Sequence, residues 1–197
     1  MDFELYKTTR DFSTEYGTFI GLTWSATFIA FSEGMVTGNA MMMMAGMFLL
    51  GVGIGMPVYC AWRYKQHLQR PGDRVSWGMA WVFAYFTLIY ASLLTGVAQF
   101  VYFNFFDKGR LMDYVQTIFA SREMAEQYRM IGATDMLEQI KAEMTAVAGL
   151  TPVELALNLF ANNILYSIIL SVPVAIVAHR KCTDIKAKLD QMLAKKQ

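Results

Sequence analysis

Four stretches of the chain carry no Asp, Glu, Lys or Arg: Tyr16 to Ser32, Gly34 to Trp62, Val75 to Phe106 and Leu155 to Ala178. A surface helix sets an apolar stripe against a charged face, whereas these runs are apolar all round. Crossing roughly 30 Å of hydrocarbon takes about 20 such residues. Three runs meet that length, and the first does so once its flanking residues snorkel. The pattern therefore predicts transmembrane helices over about 16–33, 40–62, 76–106 and 152–179. A soluble protein could bury one helix of this kind, but not four in a chain of 197 residues.

Between the third and fourth runs the pattern becomes amphipathic. "RLMDYVQTIFASREMAEQYRM" places Leu111, Tyr114, Val115, Ile118 and Phe119 at helical spacing. After "IGATD", a second stretch sets Leu137, Ile140, Met144 and Val147 on one face. This spacing predicts two amphipathic helices joined near Gly132, a hairpin over about 107–150. "TPVE" then offers Thr151 as N-cap, Pro152 at the first helical position and Glu154 at the third, a capping box opening the last span. The expected fold is an all-α integral membrane protein. It is a four-transmembrane-helix bundle in one membrane domain, with an extracytoplasmic amphipathic helical hairpin between spans 3 and 4 and a cytoplasmic tail over 180–197.

Charge orients this arrangement. Residues 63–74 carry Arg63, Lys65, Arg70 and Arg74 against Asp73 alone, and the tail carries Arg180, Lys181, Lys186, Lys188, Lys195 and Lys196. Residues 33–39 hold no Lys or Arg, and 107–152 is acidic on balance. Both basic regions fall on one side of a four-span chain, which the positive-inside rule assigns to the cytoplasm. Both termini are then expected inside and the 107–150 hairpin outside. Tyr59, Trp62, Tyr64, Trp77 and Trp81 would mark the inner interface, and Tyr102 through Phe106 the outer one.

Composition removes several function classes. Hydrophobic residues make up 55% and charged residues 17%, and the net charge of +1 gives no electrostatic basis for binding nucleic acid. Cys60 and Cys182 have neither disulfide-framework nor zinc spacing. The opening "MDFELYKTTRDFSTEYG" lacks the basic start and apolar core of a signal peptide, so the first span is expected to remain in the mature protein.

Candidate chemistry is sparse. Met41 with Met44 and Met43 with Met47 could align thioethers on one helical face, as Cu(I) would require. No His or Cys joins that row, and Met is also a flexible packing residue, so no metal site is expected. Gly51 and Gly55 form GxxxG, and Gly17 with Gly21 and Ser92 with Gly96 repeat the small-xxx-small pattern of close helix packing in lipid. Pro57 and Pro173 are expected to kink spans two and four. Polar side chains inside the spans point further. Gln99, Asn158 and Asn162 all fall roughly 9 to 15 Å below the outer ends of their helices at about 1.5 Å per residue. Asn158 and Asn162 are one turn apart, and Asn104, Asn163 and Glu33 lie nearer the rim. They read either as interhelical hydrogen-bond glue or as a small polar cavity open to the outer side. No HExxH, GxSxG, GxxxxGK or intramembrane acid pair is present, His67 falls in the basic 63–74 loop and His179 ends the last span, so neither catalysis nor a cofactor is expected.

The stretch "PGDRVSWGMAWVFAYFTLIYASLLTGVAQFVYFNFFDKGRLMDYV" resembles the inner-membrane family catalogued as domain of unknown function 4199, typical of the Bacteroides phylum. The likeness is carried by Gly72, "SWGMAW", Tyr90, "YFNFFD" and Tyr114, with an acidic helical segment and a last span ending in "AHRK". "MMMM" and the basic tail after Cys182 are not part of it. The resemblance implies a bacterial inner-membrane location and supplies no catalytic residues. The expected role is a non-enzymatic membrane interaction protein that contacts a partner through the hairpin. The alternative is an oligomeric transporter of a small solute or lipid. Its partners would be the bilayer and either further copies of itself or another membrane protein.

Overall fold

A computed structural model describes residues 3–68 and 75–179. Arg70, Gly72, Arg74 and the basic tail from Arg180, Cys182 included, lie outside the described residues. These contain seven α-helices and no strand. They are α1 (Phe3–Thr37), α2 (Ala40–Leu68), α3 (Trp77–Val101), α4 (Arg110–Ala120), α5 (Arg122–Met130), α6 (Thr134–Ala148) and α7 (Pro152–His179). A π-helical turn, Tyr102–Asp107, continues α3. Four helices are long and apolar enough to cross a membrane: Tyr6–Thr37, Ala40–Leu68, Trp77–Asp107 and Pro152–His179.

The helix ends follow local rules. Gly38 ends α1 in the left-handed region at φ 66°, and the Asn39 side chain accepts the Met41 and Met42 N–H groups at 3.0 and 3.3 Å to start α2. The capping box at α7 is formed. Thr151 Oγ1 accepts from the Glu154 N–H at 3.3 Å, and Glu154 Oε2 accepts the Thr151 N–H at 2.8 Å. Pro57 and Pro173 lie inside helices that continue through them.

One expectation about the helices is corrected. The amphipathic stretch 110–130 is not one helix but two, because Ser121 adopts an extended conformation (φ −66°, ψ 150°) and caps α5 through the Met124 N–H at 3.3 Å. A serine hydroxyl bonds backbone more favourably at a helix start than within a helix, which explains the break. The segment thus holds three short helices rather than a two-helix hairpin. The turn at Gly132 (φ 70°) is a Schellman motif. The Ala133 N–H reaches Tyr128 O at 2.9 Å and the Gly132 N–H reaches Arg129 O at 3.1 Å.

The chain separates into two compact units, each taking a section of every long helix. Among the described residues the first comprises 3–20, 54–68, 75–91 and 164–179. Its centre is Tyr64, fully buried, stacked on Phe83 with ring centroids 3.9 Å apart and hydrogen-bonded to Thr9 Oγ1 at 2.8 Å. Tyr64 is therefore a core residue rather than an interface marker, while Tyr59, Trp62, Trp77 and Trp81 are exposed. Gly17 lets α1 meet α3: a Cβ there would lie 2.6 Å from Thr87 O and Tyr90 Cβ. Ser13 donates to Thr9 O and Phe83 O, and Ser167 to Leu88 O. Ala61, Ala80, Ala84, Ala91, Ala175 and Ala178 are fully buried around them, beside Ile20 and Leu88.

The second unit comprises residues 21–53 and 92–163. Here α1 and α2 run antiparallel on glycines. Gly34 meets Met43, Phe31 meets Gly46, and the Trp24 indole donates to Gly53 O at 3.1 Å. On the other side, Gly96 of α3 receives the Phe160 ring of α7, where a Cβ would come within 2.8 Å. The two edges Tyr102 and Phe103 pack on Phe28 of α1.

Candidate functional site

The residues with the most concentrated chemistry stand in the second unit, where α3 gives way to α4. The "YFNFFD" sequence forms the π-helical turn, a wider winding often found at functional positions. Such a turn leaves carbonyls without helical partners at its end. Arg110 supplies them: its Nε donates to Asp107 O at 3.2 Å, and its Nη2 to Phe106 O at 3.2 Å. The same Nη2 reaches Glu33 Oε1 on α1 at 2.8 Å, and Tyr102 Oη donates to that oxygen at 3.1 Å.

Asp107 completes the node from inside. It is 2% exposed, and its carboxylate accepts the Gly109 N–H at 3.0 Å and the Leu111 N–H at 2.8 Å. A carboxylate on the first N–H groups of a helix is also favoured by the helix dipole. Between these bonds the chain turns through Lys108 (φ 50°) and Gly109 (φ 89°). Lysine in that region is uncommon, and the Asp107 bonds on both sides hold it there. The node thus ties the end of α1 to the start of α4 with one buried acid, one largely covered acid and one half-exposed arginine.

Beyond the node, α4 and α5 bury no residue and α6 buries only Leu137. Leu111, Tyr114, Val115, Ile118 and Phe119 of α4 are half-covered. At the far turn Met130 and Ile131 are 80% and 74% exposed, with Met136 at 56%.

The structure distributes the polar residues expected within the spans. Gln99 is buried, and its partner is Asn163, whose Nδ2 donates to Gln99 Oε1 at 3.3 Å. Asn158 and Asn162 are exposed and bond to each other at 3.1 Å. Gln99 is therefore not brought together with Asn158 and Asn162 within the chain, because the helical turn that points Asn163 at α3 turns 158 and 162 outward. Of the packing candidates, Ser92 is buried and donates to Asn163 O at 3.3 Å, and Gly96 holds Phe160. Gly51 and Gly55 have open space where a Cβ would be. The close approaches of α2 in this unit instead use Gly46 and Gly53, one helical face away. Met43 packs on Gly34, while Met41, Met44 and Met47 face outward.

Two grooves of the unit are lined by apolar side chains. One, of about 350 Å³, lies between α3 and α7 around Gly96, Phe100, Leu157 and Phe160. The other, about 360 Å³, runs from Ile29 and Ala98 to Phe106 with Glu33 at its edge. Among the described residues no three His, Cys, Asp or Glu side chains gather as a metal ion would require. Sequence reading noted Glu33 and "YFNFFD" but missed the node. The available signal was an acid ending one span and an arginine just beyond the Lys108–Gly109 turn ending another.

The model of a protein family of unknown function, DUF4199, matches residues 15–180, and the chain belongs to that family. No curated protein and no solved structure matches the chain.

Proposed function

We propose that this protein is a non-enzymatic membrane interaction protein of the bacterial inner membrane. Four spans anchor it with both termini in the cytoplasm, and the three helices between residues 107 and 150 stand on the outer side and dock another membrane protein. The reading rests on one observation: Met130, Ile131 and Met136 flank the Gly132 turn uncovered. Single exposed apolar residues are ordinary, whereas three at the tip of a segment with only Leu137 buried form a contact surface. A segment so thinly cored gains order when a partner covers it, and the Glu33–Arg110 node gives it a fixed base. The outward placement follows from the basic 63–74 loop and tail on one side and the acidic balance of 107–150 on the other.

The test replaces residues 110–148 with a flexible linker and, separately, introduces Met130→Glu with Ile131→Glu. Complexes extracted gently from native membranes are then weighed by native mass spectrometry. Insertion is expected to survive in both variants and the complex to disappear. Complexes of unchanged mass in both would overturn the reading.

A second reading has its own observation. The Asn158–Asn162 pair is exposed on α7 within a span, where lipid is a poor partner for amides. In an oligomer that pair would face another copy and, with it, line a polar path for a small solute or lipid. Asn158→Leu with Asn162→Leu should then abolish flux in vesicles, with Gln99 left in place because Asn163 holds it inside the chain. Persisting flux would dispose of it.

A further inference from the structure

The first unit holds a cavity of about 310 Å³ lined by Phe12 and Tyr16 of α1 and by Arg63, Gln66 and His67 of α2. Positions 63, 66 and 67 share one face of α2 at i, i+3 and i+4 spacing, as 12 and 16 do on α1. Tyr64 and Lys65, between them, are buried while Arg63, Gln66 and His67 are exposed, so α2 divides its last turns between core and an open cavity at the surface. The Phe12 ring stands 4.6 Å from the His67 ring and 5.6 Å from that of Tyr16, which makes an aromatic wall and orients the imidazole.

Each polar head around this wall can donate: the Arg63 guanidinium, which is donor-only, and the Gln66 amide, a ring N–H of His67 and the Tyr16 hydroxyl, which can also accept. None has a hydrogen-bond or ion-pair partner among the described residues. The nearest acids on α1, Asp11 and Glu15, do not line the cavity, and Asp11 is held by Arg10 at 2.9 Å. One fixed positive charge and several unpaired donors, with no lining acid, suit a ligand rich in acceptors and negatively charged. A phosphate has that chemistry, and guanidinium binds it through parallel N–H bonds. The volume lies at the lower end of the roughly 300–1,000 Å³ of small-molecule sites.

We propose that this cavity binds the phosphate of a phosphate ester, presented by the headgroup of an anionic phospholipid. The placement at headgroup depth follows from the chain itself. The apolar run ends at Trp62, one residue before Arg63, and Tyr59 and Trp62 are exposed on α2 as interfacial aromatics are. The segment 63–74 is basic, and such segments attract anionic lipid. The site is independent of the partner surface at Met130 and Ile131 and of which leaflet it faces.

The experiment titrates the full-length protein in neutral detergent with dioleoyl-phosphatidylglycerol and follows bound lipid by native mass spectrometry. Diolein, with the same tails and no phosphate, and oleate, with a negative charge and no phosphate, are the comparisons. Phosphatidylglycerol is expected to bind about tenfold more tightly than either, and Arg63→Gln to remove about that factor, as expected for one charge-assisted bond. Gln66→Leu, at an exposed position, should lower binding severalfold with an unchanged elution profile. Lys108→Gln removes the same charge from the second unit and should change nothing. Competition by glycerol 3-phosphate would identify a soluble ester as an occupant of the phosphate site, and its failure to compete would identify the lipid. Equal binding of phosphatidylglycerol and oleate, or equal losses in Arg63→Gln and Lys108→Gln, would overturn the proposal.

Discussion

Residues 3–20, 54–68, 75–91 and 164–179 meet through alanines, two stacked rings and hydroxyls bonded to neighbouring carbonyls. Residues 21–53 and 92–163 meet through glycines, an amide pair and a charged node. In lipid the apolar effect gives helices little reason to associate, so both regions depend on close approach and on polar bonds across the contact. The first unit reaches close approach with small side chains on several helices around Tyr64 and Phe83. The second concentrates it at a few glycines and adds Glu33, Arg110 and Asp107 where α3 hands over to α4. Each unit is vulnerable in its own way: the first in packing volume, and the second at its hydrogen-bonded ends.

Tyr64→Ala should have the largest effect. It removes the stack on Phe83 and the Thr9 bond together, and a large buried aromatic truncated to Ala costs about 4 kcal/mol. The midpoint of unfolding in mixed detergent should fall steeply. A midpoint unchanged from wild type would mean that the ring pair does not hold the first unit. Gly17→Val comes next, since its side chain meets Thr87 O and Tyr90 with no flexible end to move aside, at about 2 to 3 kcal/mol for overpacking. Gly55→Ala is its control and should stay within about 0.5 kcal/mol, because a Cβ there meets nothing within the chain.

In the second unit the effects are smaller and local. Arg110→Ala should cost about 1 to 2 kcal/mol, discounted because the guanidinium is nearly half exposed. Hydrogen exchange should quicken across residues 102–120 and stay as in wild type across 77–91. Equal quickening in both stretches would show that the node is not a local device. Ser121→Ala removes the cap of α5 and should cost about 1 kcal/mol. The amides at 122–126 should exchange faster while α6 keeps its rate, and a slower rate at 122–126 would mean that α4 and α5 had fused into one helix.

The four spans were legible because membrane crossing depends on apolar content summed over a long run, which no neighbour needs to supply. The Thr151–Glu154 box and the Gly132 turn were legible for a related reason: every partner lies within a few residues. Ser121 had the same local character, yet the apolar spacing around it reads as an unbroken helix. Its cap outweighed that periodicity. The candidate site was legible in parts only. Glu33 and "YFNFFD" stand out at span ends, while the bond from Arg110 to Glu33 spans two helices and has no spacing to betray it.

Sequence by itself determined that this chain has four apolar helices, a polar segment before the last of them and basic residues at alternate ends. Each follows from the composition of a continuous stretch. The tertiary structure alone decided that Tyr64 is core while Trp62 is surface, that Gln99 bonds Asn163 rather than Asn158 or Asn162, and that Gly46 and Gly53 make the contacts that Gly51 and Gly55 do not. These outcomes turn on the rotation of each helix about its own axis. In a helix apolar on every side, no charged face sets that rotation, so the neighbours that fit closest set it instead.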